Sequence, residues 1–214
     1  MKRISLFFIL AVIAVSSASA RDITISVGAG KNWKAVHGAQ FSIWLEDTDG
    51  NYLQTLYVTR KASKRTWIFC PKEGRPESLP VWYNSSKHEV TKSKEKNKTD
   101  AALKIDAVTR ATPKGGIVFN AEITDKSCVI KAEFNTSFDY NDFYTKNNSI
   151  DNGQPSVIYE ALLPENAEGE VKLTFSGTGS VDGKDGLIHK NTEGLTTAMN
   201  IVKSTDISFV VEQR

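Results

Sequence analysis

FSIWLEDTDGNYLQTLYVT, residues 41–59, alternates apolar and polar side chains, breaks at Asp49-Gly50 and then runs on in strand-like residues. Phe41, Ile43 and Leu45 share one face of an extended chain, with Ser42, Trp44 and Glu46 on the other, because successive strand side chains point to opposite sides. The pattern predicts a half-buried strand. Asp-Gly is a strong two-residue hairpin signal, since glycine accepts the positive φ that such turns require. Tyr52–Thr59 is then the returning strand.

Outward from this hairpin the same period of two recurs. It marks Asp22–Val27, Ile117–Ile123, Cys128–Phe134, Val157–Leu163, Val171–Phe175 and Thr205–Glu212 as strands. No window carries a helical period over three turns. Residues 75–83 hold at most a short helical turn, which Pro76 and Pro80 limit. Many short strands separated by turn residues predict an all-β, antiparallel β-sandwich of immunoglobulin-like type. An antiparallel barrel is the competing architecture.

Residues 1–20 read as a signal peptide. Lys2 and Arg3 form the basic start, Ile4–Val15 the apolar run, and Ala18-Ser19-Ala20 the small-residue cleavage site before Arg21. The apolar run is too short for comfortable membrane spanning, so no stable span is expected after leader removal. The expected location is periplasmic or secreted. Of 27 basic residues two lie in the leader, which leaves 25 against 25 acidic ones. A formally neutral mature chain offers no electrostatic footprint for nucleic acid. Residues 21–214 have the length of a single domain, with a lysine-rich solvated loop expected at about 84–100. Cys70 and Cys128 face an oxidising compartment, where they either bridge or remain thiols, since sequence does not place their Cα atoms. A bridge would contribute about 4 kcal/mol on the chain-entropy model.

Catalytic and metal constellations are not legible. His37, His88 and His189 are scattered and lack ligand spacing. There is no Gly-x-Ser-x-Gly, and Gly28-Ala29-Gly30 lacks the third glycine of a dinucleotide loop. Asp139, Asp142 and Asp151 share a loop region without calcium-loop spacing. Trp33, Trp44, Trp67 and Trp82 read first as packed core residues with satisfied indole N–H groups, and second as a ligand-stacking face. The remaining feature is IDAVTRATPKGG, residues 105–116, where Asp106, Thr109 and Thr112 precede a turn forced by Pro113 and Gly115-Gly116. It reads as a polar loop entering a strand, or as a hydroxyl displayed for chemistry.

FSIWLEDTDGNYLQTLYV, RPESLPVWY and DAVTRATPKGG together resemble the predicted periplasmic proteins of domain-of-unknown-function family 2271. That family shows Trp-x-Glu-Asp closing a strand, an Asp-Gly turn, a Leu-Pro-x-Trp segment and an Asp-Ala-Val-Thr-Gly-Ala-Thr motif. The resemblance implies an immunoglobulin-like sandwich that accompanies exported flavin transferases and membrane redox proteins. By position it makes Thr112 the hydroxyl esterified by FMN, with Asp106, Thr109 and Arg110 in the recognition motif. Arg110 stands where the motif has glycine, adding bulk where a transferase approaches, although its guanidinium can pair with phosphate. Two functions follow as expectations. The first is a non-catalytic exported module, without a cofactor, that binds an envelope partner. The alternative is a redox accessory protein carrying covalent FMN at Thr112, its partner an exported flavin transferase.

Overall fold

The computed structural model describes residues 20–34, 38–62, 75, 77–86, 109–110, 113–124 and 126–212. Among them run β1 (Ala20–Ala29), β2 (Gln40–Glu46), β3 (Tyr52–Thr59), β4 (Thr109–Arg110), β5 (Ile117–Thr124), β6 (Cys128–Asn135), β7 (Val157–Leu163), β8 (Gly169–Lys172), β9 (Thr174–Thr178) and β10 (Val202–Glu212). They form two sheets, in the orders β5-β1-β10-β8 and β4-β3-β2-β6-β7-β9. Pairing is antiparallel throughout except between β3 and β4. The architecture is the expected antiparallel β-sandwich.

The sheet edges explain why a barrel competed with a sandwich in the sequence. β4 and β5 are consecutive strands that end the two sheets on one side, and β8 and β9 do so on the other. Leu173, which is buried, is the single residue between β8 and β9. The expected run 171–175 is therefore two strands in two sheets, split where the chain turns the corner. On the opposite side Gln54 donates to the Glu122 carbonyl at 3.1 Å, and Tyr57 packs on Phe119 with ring centroids 5.2 Å apart. Such stitching leaves less open strand edge for unwanted pairing.

Between the sheets lies a core of Ile23, Ile25, Val27, Phe41, Ile43, Leu45, Ile130, Phe134 and Tyr159, among others. Phe41 is stacked on both Tyr57 and Phe134, at 4.9 and 5.3 Å, so aromatic contacts link three neighbouring strands. Arg21 closes one end. It is buried, and its guanidinium donates to the carbonyls of Thr124, Lys126, Pro164 and Glu165. Cys128 is a free, buried thiol that desolvation pushes up despite the Arg21 charge. Cys70 lies outside the described residues.

Four local expectations change. The hairpin loop is longer than two residues: Asp47 and Asn51 close it backbone to backbone at 2.9 Å, and the Asp47 carboxylate accepts from Asp49 N, Asn51 N and Asn51 Nδ2. Those bonds hold its carboxyl below the ordinary value, and Gly50 still supplies the positive φ, at 84°. Pro80 begins a helix instead of limiting one. Residues 80–86, α1, are helical, with proline in the first turn, where its missing N–H costs nothing. Residues 84–86, expected in the lysine-rich loop, belong to that helix; 87–100 lie outside the described residues. Finally, β2 is buried on both faces. Trp44 faces outward from the sandwich into a second cluster with Val58, Leu79, Val81, Trp82 and Ile158, so α1 and its lead-in cover the outer face of the sheet.

Candidate functional site

Two buried carboxylates organise the polar part of the molecule. Glu133, on β6, is fully buried under α1. It accepts from Trp82 N at 2.8 Å, Val81 N at 3.3 Å and Ser156 Oγ at 2.6 Å. Burial pushes its carboxyl up to about 7, against the opposing pull of those three hydrogen bonds. Among the described residues no cation pairs with it. Gly179 lies alongside, where a Cβ would press on Ser156, Pro80 and the Glu133 carboxylate. On the same outer face, Lys131 pairs with Glu46 at 2.6 Å, and Glu46 also accepts from Trp44 Nε1 at 2.8 Å.

The second carboxylate, Asp139, is buried at the root of a long loop between β6 and β7. Its Oδ2 accepts from Asn32 Nδ2 at 2.9 Å and Gln154 Nε2 at 3.0 Å. Its Oδ1 accepts from the Thr197 hydroxyl at 2.8 Å, with Lys34 Nζ at 3.4 Å. The loop itself is heavily self-bonded. Phe138 N donates to Asp151 O, Asp139 N to Asn152 O, and Gln154 N back to Asp139 O. Asn141 caps the turn at 143–144, and the Tyr140 hydroxyl donates to Ile150 O at 2.8 Å. Gly153 has φ 76° and passes so close to Asp139 that a Cβ would overlap its carbonyl.

Strain is concentrated here. Phe138 and Ile150 are the non-glycine residues with positive φ among the described ones, at 61° and 44°. A bulky or β-branched side chain is disfavoured in that region, at roughly 1–3 kcal/mol each. Both are displayed to solvent: Phe138 is 50% exposed, Ile150 43% and nearby Phe143 46%. Lys146 lies over the Tyr140 ring at 5.8 Å from its centroid. The loop therefore holds apolar side chains outward on strained backbone set within a dense network of hydrogen bonds.

The motif residues of 105–116 are placed in part. Thr109 and Arg110 form β4 at the outer edge of the larger sheet, pairing with Val58 and Thr59. Pro113 O accepts from Trp33 Nε1 at 3.1 Å. Asp106, Ala111 and Thr112 lie outside the described residues. Trp33, Trp44 and Trp82 are buried with their indole N–H groups satisfied by Pro113 O, Glu46 and Thr55 Oγ1; Trp67, His37 and His88 lie outside. His189 sits 3.0 Å from Asp185 Oδ1. No set of three or more His, Cys, Asp or Glu side chains among the described residues could hold a metal ion.

Glu133, Gln154 and Thr197 carry no signal in the sequence. Asp139 was legible only as one of several acidic loop residues, because its partners come from positions 32, 34, 154 and 197. The fold and the site together define a two-sheet sandwich with a strained, aromatic-tipped loop over a buried carboxylate. Comparison adds no relative: no protein-family model, no curated protein and no solved structure matches this chain.

Proposed function

We propose that this is an exported, non-catalytic β-sandwich module, immunoglobulin-like as its family resemblance implies, that binds an envelope partner through the loop between β6 and β7. One observation carries the reading: Phe138 and Ile150 are held at positive φ with their side chains half in water. Strain that persists in a well-bonded loop is a device for presenting side chains, and apolar ones set outward are suited to an interface. A photo-crosslinking residue at position 143 in the native host is expected to give a discrete envelope adduct. The same residue at position 118, an exposed site on β5, is expected not to, and Phe138→Ser is expected to weaken the adduct. Equal adduct patterns from both positions would exclude the loop as the interface.

A second reading, the FMN carrier, is favoured by the edge position of β4. Among the described residues, Thr109 and Arg110 join the larger sheet by two residue pairs with β3, at its edge, the kind of position at which an enzyme could dock. On this reading Thr112 accepts FMN through its phosphate, within the motif that includes Asp106. Intact-mass measurement after co-expression with an exported flavin transferase, with Thr112→Ala as control and Arg110→Gly as the improved acceptor, tests it. Unchanged mass in both the parent and Arg110→Gly would eliminate this reading.

A further inference from the structure

Gln154, Thr197 and Asp139 form one hydrogen-bonded side-chain cluster, and the arrangement does not depend on what the loop binds. Gln154 is buried at the end of the strained loop, and Thr197 opens the short 3-10 turn Thr197–Asn200 before β10. The orientation of the Gln154 amide follows from its partners. Its Oε1 accepts from the backbone N–H of Thr196 at 2.6 Å and of Ala198 at 3.3 Å. The Thr196 hydroxyl adds a longer bond of 3.3 Å to the same oxygen. Its Nε2 lies 3.0 Å from Asp139 Oδ2 and 2.6 Å from Thr197 Oγ1. The Thr197 hydroxyl in turn donates to Asp139 Oδ1 at 2.8 Å. One carboxylate thus bonds both the hydroxyl and the amide nitrogen, while two backbone N–H groups hold the amide oxygen.

We propose that Thr197 and Gln154 form an intramolecular ester cross-link. Thr197 Oγ1 is within about 3.9 Å of the Gln154 carbonyl carbon, one amide C–N bond beyond Nε2. For reaction Oγ1 must move from the edge of the amide, where it accepts from Nε2, to the face of its carbonyl. As Oγ1 attacks that carbon, its proton passes to Asp139 Oδ1. The negative charge that develops on Oε1 is stabilised by the N–H groups of Thr196 and Ala198. Collapse re-forms the carbonyl and breaks the bond from carbon to Nε2. The Asp139 carboxyl returns the proton to the departing nitrogen, which leaves as ammonia. Hydroxyl plus primary amide becomes ester plus ammonia, with no oxidant, reductant or external reactant. The three groups are pre-assembled by the fold, the condition under which a sluggish amide electrophile reacts intramolecularly. Thr197 is solvent-exposed as a residue, which gives ammonia a way out.

The product would tie the loop between β6 and β7 to the turn that enters β10. Asn32 Nδ2 braces the site by donating to Asp139 Oδ2, the Thr136 hydroxyl and Thr197 O. Lys34, paired to Asp139 Oδ1, lies on the same side.

The test is intact-mass measurement and tryptic mapping of the purified full-length mature protein. The expected mass is one ammonia below that required by the sequence. Peptides 147–172 and 191–203 are expected as one linked species that base or hydroxylamine separates. Asn152-Gly153 lies in the first of these peptides and loses ammonia if it cyclises to a succinimide, but that product leaves the two peptides separate. Thr197→Val should give the full mass, and Thr197→Ser should restore the link. Asp139→Asn should give a folded, unlinked protein. The unlinked pair of peptides from correctly folded parent protein would overturn the proposal. Persistence of the link in Thr197→Val would do the same, and persistence in Asp139→Asn would overturn the assigned base.

Discussion

Glu133→Gln isolates the energetics of the buried carboxylate under α1. A carboxyl held at about 7 in the folded protein, against an ordinary value of 4.5, binds its proton more tightly when folded than when unfolded. The difference corresponds to about 3 kcal/mol. Its sign is the reverse of that for a salt-bridged carboxylate. The stabilising contribution is fully present below the ordinary carboxyl range and is lost as pH rises through about 7, because the charge must then be carried in a desolvated site. From about pH 5 to about pH 8 the parent should lose about 2–3 kcal/mol from this group alone. Glutamine occupies nearly the same volume. Its oxygen can accept from Trp82 N and its nitrogen can donate to Ser156 Oγ, so the two shorter bonds persist without a titrating group and only the longer one from Val81 N is lost. The variant should match the parent within about 1 kcal/mol near pH 5 and exceed it by about 2–3 kcal/mol near pH 8. For a domain of this length that is about 5–10 °C in Tm. Urea unfolding followed by the fluorescence of the buried tryptophans, repeated across that pH range, measures both curves. Parallel curves, with the variant no more stable at high pH, would refute the reasoning and show that Glu133 stays charged in the fold.

Gly50→Val should lower stability by about 1–3 kcal/mol, through backbone strain at φ 84° alone, since nothing lies within 4 Å of the Cβ. An unchanged melting temperature would place the strain elsewhere. Arg21→Met removes one guanidinium from four backbone carbonyls and should cost about 2–4 kcal/mol, measured by urea unfolding; a loss under 1 kcal/mol would mean that water replaces the side chain. Phe138→Asn, which tolerates left-handed backbone better than phenylalanine, should raise thermal stability by about 1 kcal/mol while weakening partner cross-linking. Destabilisation would show that the phenylalanine packing outweighs its strain.

Local pattern and long-range satisfaction divide this protein cleanly. Residue order alone determined an antiparallel all-β chain, because alternation at Phe41, Ile43 and Leu45, and in the matching runs 117–123, 128–134 and 157–163, assigns side chains to faces without reference to the rest of the chain; that the strands form two sheets instead of one closed barrel was decided by tertiary structure. Residue order also determined the hairpin at Gly50, since few residues other than glycine tolerate its φ. Alternation does not say what covers the second face. Only the tertiary structure decided that α1 packs on the outer face of the sheet, which buries Trp44 and Glu133. Only tertiary structure, too, made β4 a parallel edge strand, since two residues are too few to carry a period. Asp139, Gln154 and Thr197 meet for the same reason. A buried polar atom is satisfied by whichever donors folding brings within reach, and these arrive from separate loops whose approach no local spacing records.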